Sequence, residues 1–350
     1  MIIDYAHGFD ETAELLPDYE AAGLRLVAVP EAYSFDAVSQ LGYLAARSRT
    51  VELASAILPV YSRTPALLAM TAAGLDHVSG GRFTLGIGAS GPQVVEGFHG
   101  VPYDAPLGRT REVIEICRRV WRREPLRHAG KHFRIPLAET EGTGLGKPLK
   151  LINHPVRGRI PIAVAALGPG NVAMTVEIAD AWQPLFFHRE RYRAAWGEAL
   201  DIGYSRRDPA LGTLDIMLQV PFAVSEPAEE ILASVRRQLA LYIGGMGARR
   251  KNFYNELARR YGYAVEAKEI QELYLAGRTQ DAARAVPDEL VRGVSLIGNP
   301  DQLRSQVADL AAAGVTTLLL NPLATEPAKR VDDVAIVASL LPTNRSPGIR

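Results

Sequence analysis

The chain has 350 residues, 47% of them hydrophobic, which is enough apolar side chain to build one large domain or two ordinary ones. Lys plus Arg and Asp plus Glu both total 39, so no basic surplus points to a nucleic acid or a membrane surface as the partner. No segment approaches the roughly 20 consecutive apolar residues that span a bilayer, and the first residues lack a signal-peptide pattern, so we expect a cytoplasmic enzyme or binding protein.

Short apolar runs alternate with amphipathic helical patterns along the chain. The runs cover residues 2–6, 24–29, 51–58, 83–87, 160–165, 181–187, 214–224 and 315–320. Continuous apolar strands separated by helices pair in parallel, because each crossover helix covers one face of the sheet. Eight such units predict an α/β fold, a closed (β/α)8 TIM barrel, with an open doubly wound sheet as the structural alternative.

The chain is longer than the roughly 250 residues of a typical barrel. The excess falls in two segments, about 122–159 after the fourth helix and about 243–298 between the seventh and eighth strands. We therefore predict a single barrel domain over residues 1–350 that carries two insertions.

A glycine-rich segment follows the fourth predicted strand. Gly86, Gly88 and Gly91 stand in the order G-x-G-x-x-G, but a dinucleotide-binding turn needs its helix to open at the third glycine. Pro92 follows instead, and the next strong helical pattern begins near Leu107. We predict a long loop over residues 88–103, and in a barrel the loops that follow the strands build the catalytic site.

Few ionisable residues follow the predicted strands. They are His7, Glu31, Tyr33, His99 and His188. No lysine stands beside a strand end, which argues against Schiff-base chemistry, and no histidine or carboxylate cluster has metal-ligand spacing. An apolar, glycine-rich site of this kind suits an organic cofactor that does the difficult chemistry while the protein positions it.

The end of the fifth predicted strand offers a place for a phosphate group. Leu167, Gly168, Pro169, Gly170 and Asn171 lead from the strand into a helix that begins near Val172. Backbone N–H groups at the start of a helix bind phosphate without a lysine. The alternative is a glycine-rich turn with an asparagine cap.

Several stretches resemble the luciferase-like monooxygenase superfamily, and within it the oxidoreductases that use coenzyme F420. They are VAVPEAYSFDAVSQLGYLAARS, GGRFTLGIGASGPQVVEGFHGVPYDAPLGRTRE, IPIAVAALGPGNVA, and YIGGMGARRKNFYNELARRYGY. The resemblance covers nearly the whole chain in order. It implies a (β/α)8 barrel with the cofactor ring over the strand ends.

The resemblance also implies which residues hold the cofactor. The third strand would carry a non-prolyl cis peptide at Ala56 and Ile57 that backs the ring, next to the small Ser55. Gly88, Ala89 and Ser90 would border the ring at the end of the fourth strand. The phosphate contacts would be Ala166, Leu167, Gly168 and Asn171.

The catalytic residues are less well defined by the resemblance. Sugar-phosphate dehydrogenases of the superfamily have a histidine after the second strand and a glutamate after the fourth, where this chain has Ala32 beside Glu31, and Gly91. Glu31 and Tyr33 are candidates for protonating or orienting a substrate, against the alternatives that Glu31 caps or pairs at the strand end and Tyr33 is a packing wall. His7 is a further catalytic candidate.

The predicted function is hydride transfer between coenzyme F420 and an unidentified organic substrate. One alternative is a monooxygenase that uses reduced FMN and oxygen and needs a separate reductase. A second alternative is a non-catalytic protein that binds flavin or deazaflavin. The resemblance implies a homodimer, and nothing in the sequence indicates a metal ion, a nucleic acid or a membrane as partner.

Overall fold

The computed structural model describes residues 1–3, 8–226, 228–249 and 251–341. In this part of the chain the strands are β1 (Leu26–Val29), β2 (Glu52–Ser55), β3 (Leu58–Pro59), β4 (Phe83–Gly88), β5 (His128–Ala129), β6 (Arg134–Ile135), β7 (Ile162–Ala165), β8 (Ala181–Gln183), β9 (Asp215–Val224), β10 (Leu296–Gly298) and β11 (Thr317–Pro322).

The main sheet is parallel and closes on itself. Its hydrogen-bonded order is β1, β2, β4, β7, β8 and β9, with β11 on the other side of β9 and β3 beside the end of β4. Ile2 closes the ring, since it forms a parallel bridge to Ala28 of β1 and its N–H donates to the carbonyl of Leu320 in β11 at 2.9 Å. The predicted TIM barrel is thereby confirmed, and the open doubly wound sheet is excluded.

Helices cover the outside of the barrel. They are α1 (Phe9–Glu14), α2 (Leu16–Ala21), α3 (Ala37–Arg47), α4 (Pro65–Val78), α5 (Pro92–Gly97), α6 (Pro106–Trp121), α7 (Pro169–Ile178), α8 (Tyr192–Arg206), α9 (Glu229–Ala240), α10 (Phe253–Arg260), α11 (Ala264–Leu275), α12 (Thr279–Arg284), α13 (Asp288–Gly293), α14 (Pro300–Ala312) and α15 (Pro327–Leu340). Their apolar faces and the outer face of the sheet form the larger of two cores.

A smaller core fills the barrel interior. Its buried members are Ile2, Leu26, Ala28, Ala54, Ala163, Ala181, Met217 and Leu319. Bulky branched side chains dominate most barrel interiors, whereas alanine is the commonest residue in this layer. The half-buried Ala56 packs on this core and links it to the end of the third barrel strand.

The two extra segments have their own secondary structure. The first contains β5 and β6, an antiparallel pair with His128 opposite Ile135. The second holds α10 to α13 and the short strand β10, which pairs in parallel with the end of β9. Their status as insertions into one domain stays a prediction.

Two sequence expectations about local structure were wrong. The segment after β4 contains the helix α5, because Gly91 is extended and Pro92 supplies the fixed φ that suits a first helical residue. The sixth predicted strand ends at Gln183, four residues early. Phe186 has a φ of 53°, which is incompatible with a strand, and its ring packs at 5.1 Å on Tyr242, just before the second extra segment.

Candidate active site

Three segments predicted to border a cofactor meet at the carboxyl end of the barrel. Gly88 lies between Pro59 of β3 and Ala165 of β7 in the sheet register. A Cβ atom built on Gly88 would lie 3.1 Å from Ile57 and 3.3 Å from the Cβ of Ala165, so the Ile57 side chain covers this glycine. The strand ends therefore form a surface of small and apolar groups.

The third barrel strand is interrupted between β2 and β3. The Ala56–Ile57 peptide bond is cis, at the position that the resemblance implied. Ser55 is fully buried, and its Oγ donates to the carbonyl of Gly86 at 2.7 Å and accepts from the Gly86 N–H at 2.8 Å. The hydroxyl is thus engaged within the sheet, and contact between Ser55 and a cofactor stays a prediction.

Two tyrosines support the loop at the end of β4. Ser90 adopts a left-handed backbone with φ 58°, and its carbonyl accepts a hydrogen bond from the Tyr103 hydroxyl at 3.3 Å. The Tyr61 ring lies 5.3 Å from that of Tyr103, and its hydroxyl donates to the carbonyl of Asp104 at 2.5 Å. Burial raises the pKa of Tyr61 to about 12 and raises that of Tyr103, so both phenols are neutral donors.

Glu31, a predicted catalytic residue, is buried in an ion pair. Its two carboxylate oxygens accept from Arg63, at 2.6 Å and 2.8 Å, and Oε2 also accepts from the N–H of Ala37 at the start of α3. Arg63 makes a further bond to Asp36 at 2.9 Å. The hydrogen bond to Glu31 raises the pKa of Arg63. A role for Glu31 in protonation stays a prediction, while its structural role is plain.

Tyr33, the second catalytic candidate, lies on an exposed aromatic rim. Its side chain is 58% exposed, and its ring centroid lies 6.2 Å from that of Phe98, which is 66% exposed. The His99 ring meets Phe98 edge-on at 5.3 Å, and its Nε2 is buried without a hydrogen-bond partner in the described part of the chain. His7, the third catalytic candidate, lies outside the described residues.

His188 follows β8 but has a structural role. It is only 2% exposed, and its Nδ1 accepts from the N–H groups of Glu190 and Arg191, both at 3.3 Å. Burial, followed by the charges of Arg191 and Arg189, lowers the pKa of His188 to about 4. The ring is therefore neutral near pH 7 and anchors a turn.

The predicted phosphate loop leads directly into α7. The helix begins at Pro169, earlier than expected, and Gly168 is its N-cap without a side-chain hydrogen bond. Asn171 lies inside the first turn and is not the cap that the alternative interpretation required. The N–H groups of Gly170 and Asn171 have no intrahelical acceptor at these positions, so the helix start can receive an anion.

The loop carbonyls that precede α7 face the protein interior. The carbonyl of Ala166 accepts from Trp182 Nε1 at 2.9 Å. The carbonyl of Leu167 accepts from Trp196 Nε1 at 2.8 Å and from Arg260 Nη2 at 3.1 Å. No sequence pattern pointed to these three donors.

Charged side chains cluster at the other end of the barrel. A cavity of about 360 Å3 is lined there by Glu52, Arg82, Arg157, Asp180 and Asp215, among others. Arg157 pairs with the buried Asp76, and Asp180 accepts from Arg118 at 3.2 Å. The amino-terminal end of a barrel serves stability, so we place no chemistry in this cavity.

The described part of the chain shows neither a metal-binding cluster nor a helix that could span a membrane. Within residues 1–3, 8–226, 228–249 and 251–341, no three His, Cys, Asp or Glu side chains come together in a group suited to a metal ion. None of the helices in that part is long and apolar enough to cross a membrane. The cytoplasmic location stays a prediction.

Comparison with known proteins gives matches through nearly the whole chain. Residues 2–317 match the family described as luciferase-like monooxygenase. A Mycobacterium tuberculosis protein, provisionally named a coenzyme F420-dependent oxidoreductase, is 42% identical over 311 residues, which are 88% of this chain and 89% of the relative. A 5,10-methylenetetrahydromethanopterin reductase of Archaeoglobus fulgidus is 26% identical over 287 residues, 80% of each chain.

A solved structure supports the same architecture. The coenzyme F420 dependent tetrahydromethanopterin reductase from Methanopyrus kandleri superposes with a TM-score of 0.77 at 19% identity. The superposition covers 97% of this chain and 96% of that one. At this identity the likeness concerns the fold, and it agrees with the barrel described above.

Proposed function

Because the chain belongs to the luciferase-like monooxygenase family, we propose that it is an oxidoreductase that uses coenzyme F420 to transfer a hydride to or from an unidentified organic substrate. One structural observation carries the proposal. The uncapped start of α7 opens at the same barrel end as the surface of small and apolar groups formed by Ile57, Gly88 and Ala165. A flat ring and a phosphate group fit these two features side by side.

The residues present fit the cofactor that the relatives imply. The ring would lie against Ile57, Gly88 and Ala89, which present apolar groups at the strand ends. The phosphate would accept from the N–H groups of Gly168, Gly170 and Asn171. When bound, coenzyme F420 supplies a hydride donor or acceptor. The apolar strand ends exclude water from the reacting atoms and hold them in a fixed orientation.

The proton that accompanies hydride transfer needs a donor near the rim. We propose that the Tyr33 hydroxyl orients or protonates the substrate, since it is exposed beside the strand ends. Glu31 is the less suitable donor, because both of its oxygens are bonded to Arg63. The Glu31 pair instead holds the segment that carries Tyr33.

An equilibrium titration tests the cofactor. The purified protein is titrated separately with coenzyme F420 and with FMN, and ligand fluorescence is followed. A preference for coenzyme F420 supports the proposal and justifies a screen of unsaturated and carbonyl substrates. Absence of binding at concentrations well above those typical of cofactors would overturn it.

The family description makes an oxygen-dependent enzyme the second candidate. In that case FMN binds more tightly than coenzyme F420, and product formation requires oxygen and a partner reductase. Tight binding of either cofactor without turnover of any substrate would instead indicate the non-catalytic alternative.

We also propose a homodimer in which a second copy covers the outer face of α4. This face exposes Leu67, Met70 and Val78, at 46%, 54% and 58%, together with His77 in the last turn, and the only carboxylate of the helix, that of Asp76, is buried. Gly74 on the same face has open space above it, which allows another helix to approach closely. A barrel helix that is apolar on its outer side as well is typical of an interface.

A further inference from the structure

We propose that Trp182, Trp196 and Arg260 are positioning residues that turn the N–H groups of the phosphate loop, residues 166–168, toward the cofactor. The inference rests on the proposed function. It adds that affinity for the phosphate depends on side chains that never contact it.

Two successive carbonyl groups of the loop accept hydrogen bonds from buried or partly buried side chains. The Ala166 carbonyl is held by one indole at 2.9 Å, and the Leu167 carbonyl by a second indole at 2.8 Å and a guanidinium at 3.1 Å. Leu167 thus uses both acceptor positions of its oxygen. All three donors come from the protein interior side of the loop.

The directions of the N–H groups follow from peptide geometry. In a trans peptide the C=O of one residue and the N–H of the next point in opposite directions. When the carbonyls of Ala166 and Leu167 face inward, the N–H groups of Leu167 and Gly168 face outward. These two donors precede the free N–H groups of the first turn of α7, and together they can surround an anion.

The two indole rings are held by close packing. Trp182 is fully buried and Trp196 is 1% exposed, and their rings meet edge-on at 5.1 Å. Phe187 and Tyr261 pack on Trp196 at 5.9 Å and 5.8 Å. A donor that is packed on several sides has a fixed direction, so the carbonyl group that it bonds is held in one orientation.

Arg260 adds charge to this arrangement. Its acceptors in the described part of the chain are the backbone carbonyls of Leu167, Ala195 and Glu256, and no ion pair there neutralises it. A cation held beside the helix start lowers the free energy of a bound phosphate.

The chain contains its own control for the indole. Trp121 is also 1% exposed, and its Nε1 donates to a buried backbone carbonyl, that of Ala69, at 2.9 Å. Trp196→Phe and Trp121→Phe therefore remove the same kind of bond, one at the loop and the other between α6 and α4. Both variants are expected to lower the urea midpoint by similar amounts.

The readout is affinity for ligands with and without the phosphate. The pairs are FMN with riboflavin, and coenzyme F420 with the deazaflavin that lacks its phosphate-bearing tail. Trp196→Phe should weaken binding of the phosphate-bearing ligands about 3- to 10-fold, as expected for loss of one hydrogen bond. It should leave binding of the phosphate-free ligands unchanged. Trp121→Phe should change the affinity for neither ligand of a pair.

A second pair of variants keeps the test independent of indole packing. Arg260→Met should weaken binding of the phosphate-bearing ligands only. Added salt should reduce the difference in affinity between this variant and the wild type. Arg259→Met is the control, since Arg259 is exposed on the same helix and bonds Asn255 at 3.0 Å.

Two failures can be told apart. If the wild-type protein binds no phosphate-bearing ligand, the proposed function is wrong. If it binds them, but Trp196→Phe weakens phosphate-bearing and phosphate-free ligands equally, or matches Trp121→Phe, the positioning role is wrong and the proposed function stands.

Discussion

The carboxylate of Glu31 and the guanidinium of Arg63 form a two-point ion pair, with contacts of 2.6 Å and 2.8 Å between side chains that are 9% and 13% exposed. The pair joins the segment after β1 to the segment after β3. The pair therefore holds in place the segment that carries the neighbouring Tyr33.

Glu31→Gln should lower the free energy of unfolding by about 2 kcal/mol, because the buried guanidinium loses its charged partner. The pH profile of kcat should keep its shape. Asp36→Asn is the control, since Asp36 contacts the same guanidinium from a half-exposed position and asparagine keeps its cap on α3, so we expect less than about 1 kcal/mol. A large loss of kcat at unchanged stability would identify Glu31 as the acid instead. Urea denaturation and steady-state rates decide.

His188 should make the protein less stable in mild acid. Its folded pKa, about 4, lies below the ordinary value of 6.5, so the unfolded chain binds the proton first. The stability due to neutral His188 is complete above about pH 6.5 and is lost as the pH falls toward about 4. In His188→Asn, Oδ1 can replace Nδ1 as the acceptor without titrating. The urea midpoint of this variant should fall less between about pH 7 and about pH 5 than that of wild type. Equal slopes would contradict the assignment.

Gly86→Ala should be among the most damaging single changes in the barrel. A Cβ at this position would lie 1.7 Å from the Ser55 carbonyl oxygen, so the strands must separate. We expect a loss of about 3 kcal/mol or more, or insoluble protein. Gly42→Ala, with open space above a helical glycine of α3, should stabilise by about 0.5–1 kcal/mol. Thermal unfolding compares the two, and a stable Gly86→Ala would show that the strands tolerate separation.

Gly168→Asp should change stability and cofactor affinity in opposite directions. Its backbone, with φ −70° and ψ 140°, accepts any residue, and an aspartate can cap α7 for a gain of about 0.3 kcal/mol. The new carboxylate, however, repels a phosphate at the same N–H groups. Ala228→Asp caps α9 with a similar backbone and should stabilise the protein without affecting cofactor binding. Unchanged affinity in Gly168→Asp would place the phosphate elsewhere.

Met70→Glu should convert the proposed dimer to a monomer, because it buries a charge at the centre of the α4 face. Light scattering after size-exclusion chromatography gives the mass directly. Val265→Glu serves as the control, since Val265 is 77% exposed on α11, away from α4. A dimer that survives Met70→Glu would move the interface to another face.

The barrel was predictable because its strands are continuous apolar runs, and that signal is local. The predicted strand boundary was wrong at Phe186, because its positive φ ends the strand. The helix α5 was not predicted, because six residues are too few to show a helical period. β10 has only three residues and lies within a segment that reads as helical.

For the candidate site, only the backbone features of the structure were predictable. The glycine-rich turns at Gly88 and Gly168 are visible in sequence, but their supports are not. Arg63 lies 32 residues from Glu31, and nothing near either residue indicates the pair. The indole donors likewise depend on tertiary contact, which a single sequence does not encode in any short pattern.

The bond between Arg260 and Leu167 joins residues 93 positions apart. When the ribosome has synthesised α8, the loop and both of its indole donors have been made, but Arg260 has not yet been translated. Domains made N-terminus first complete their late contacts last. A chain that stops before α10 therefore contains the loop of residues 166–168 with only two of the three side chains that bond its carbonyl groups.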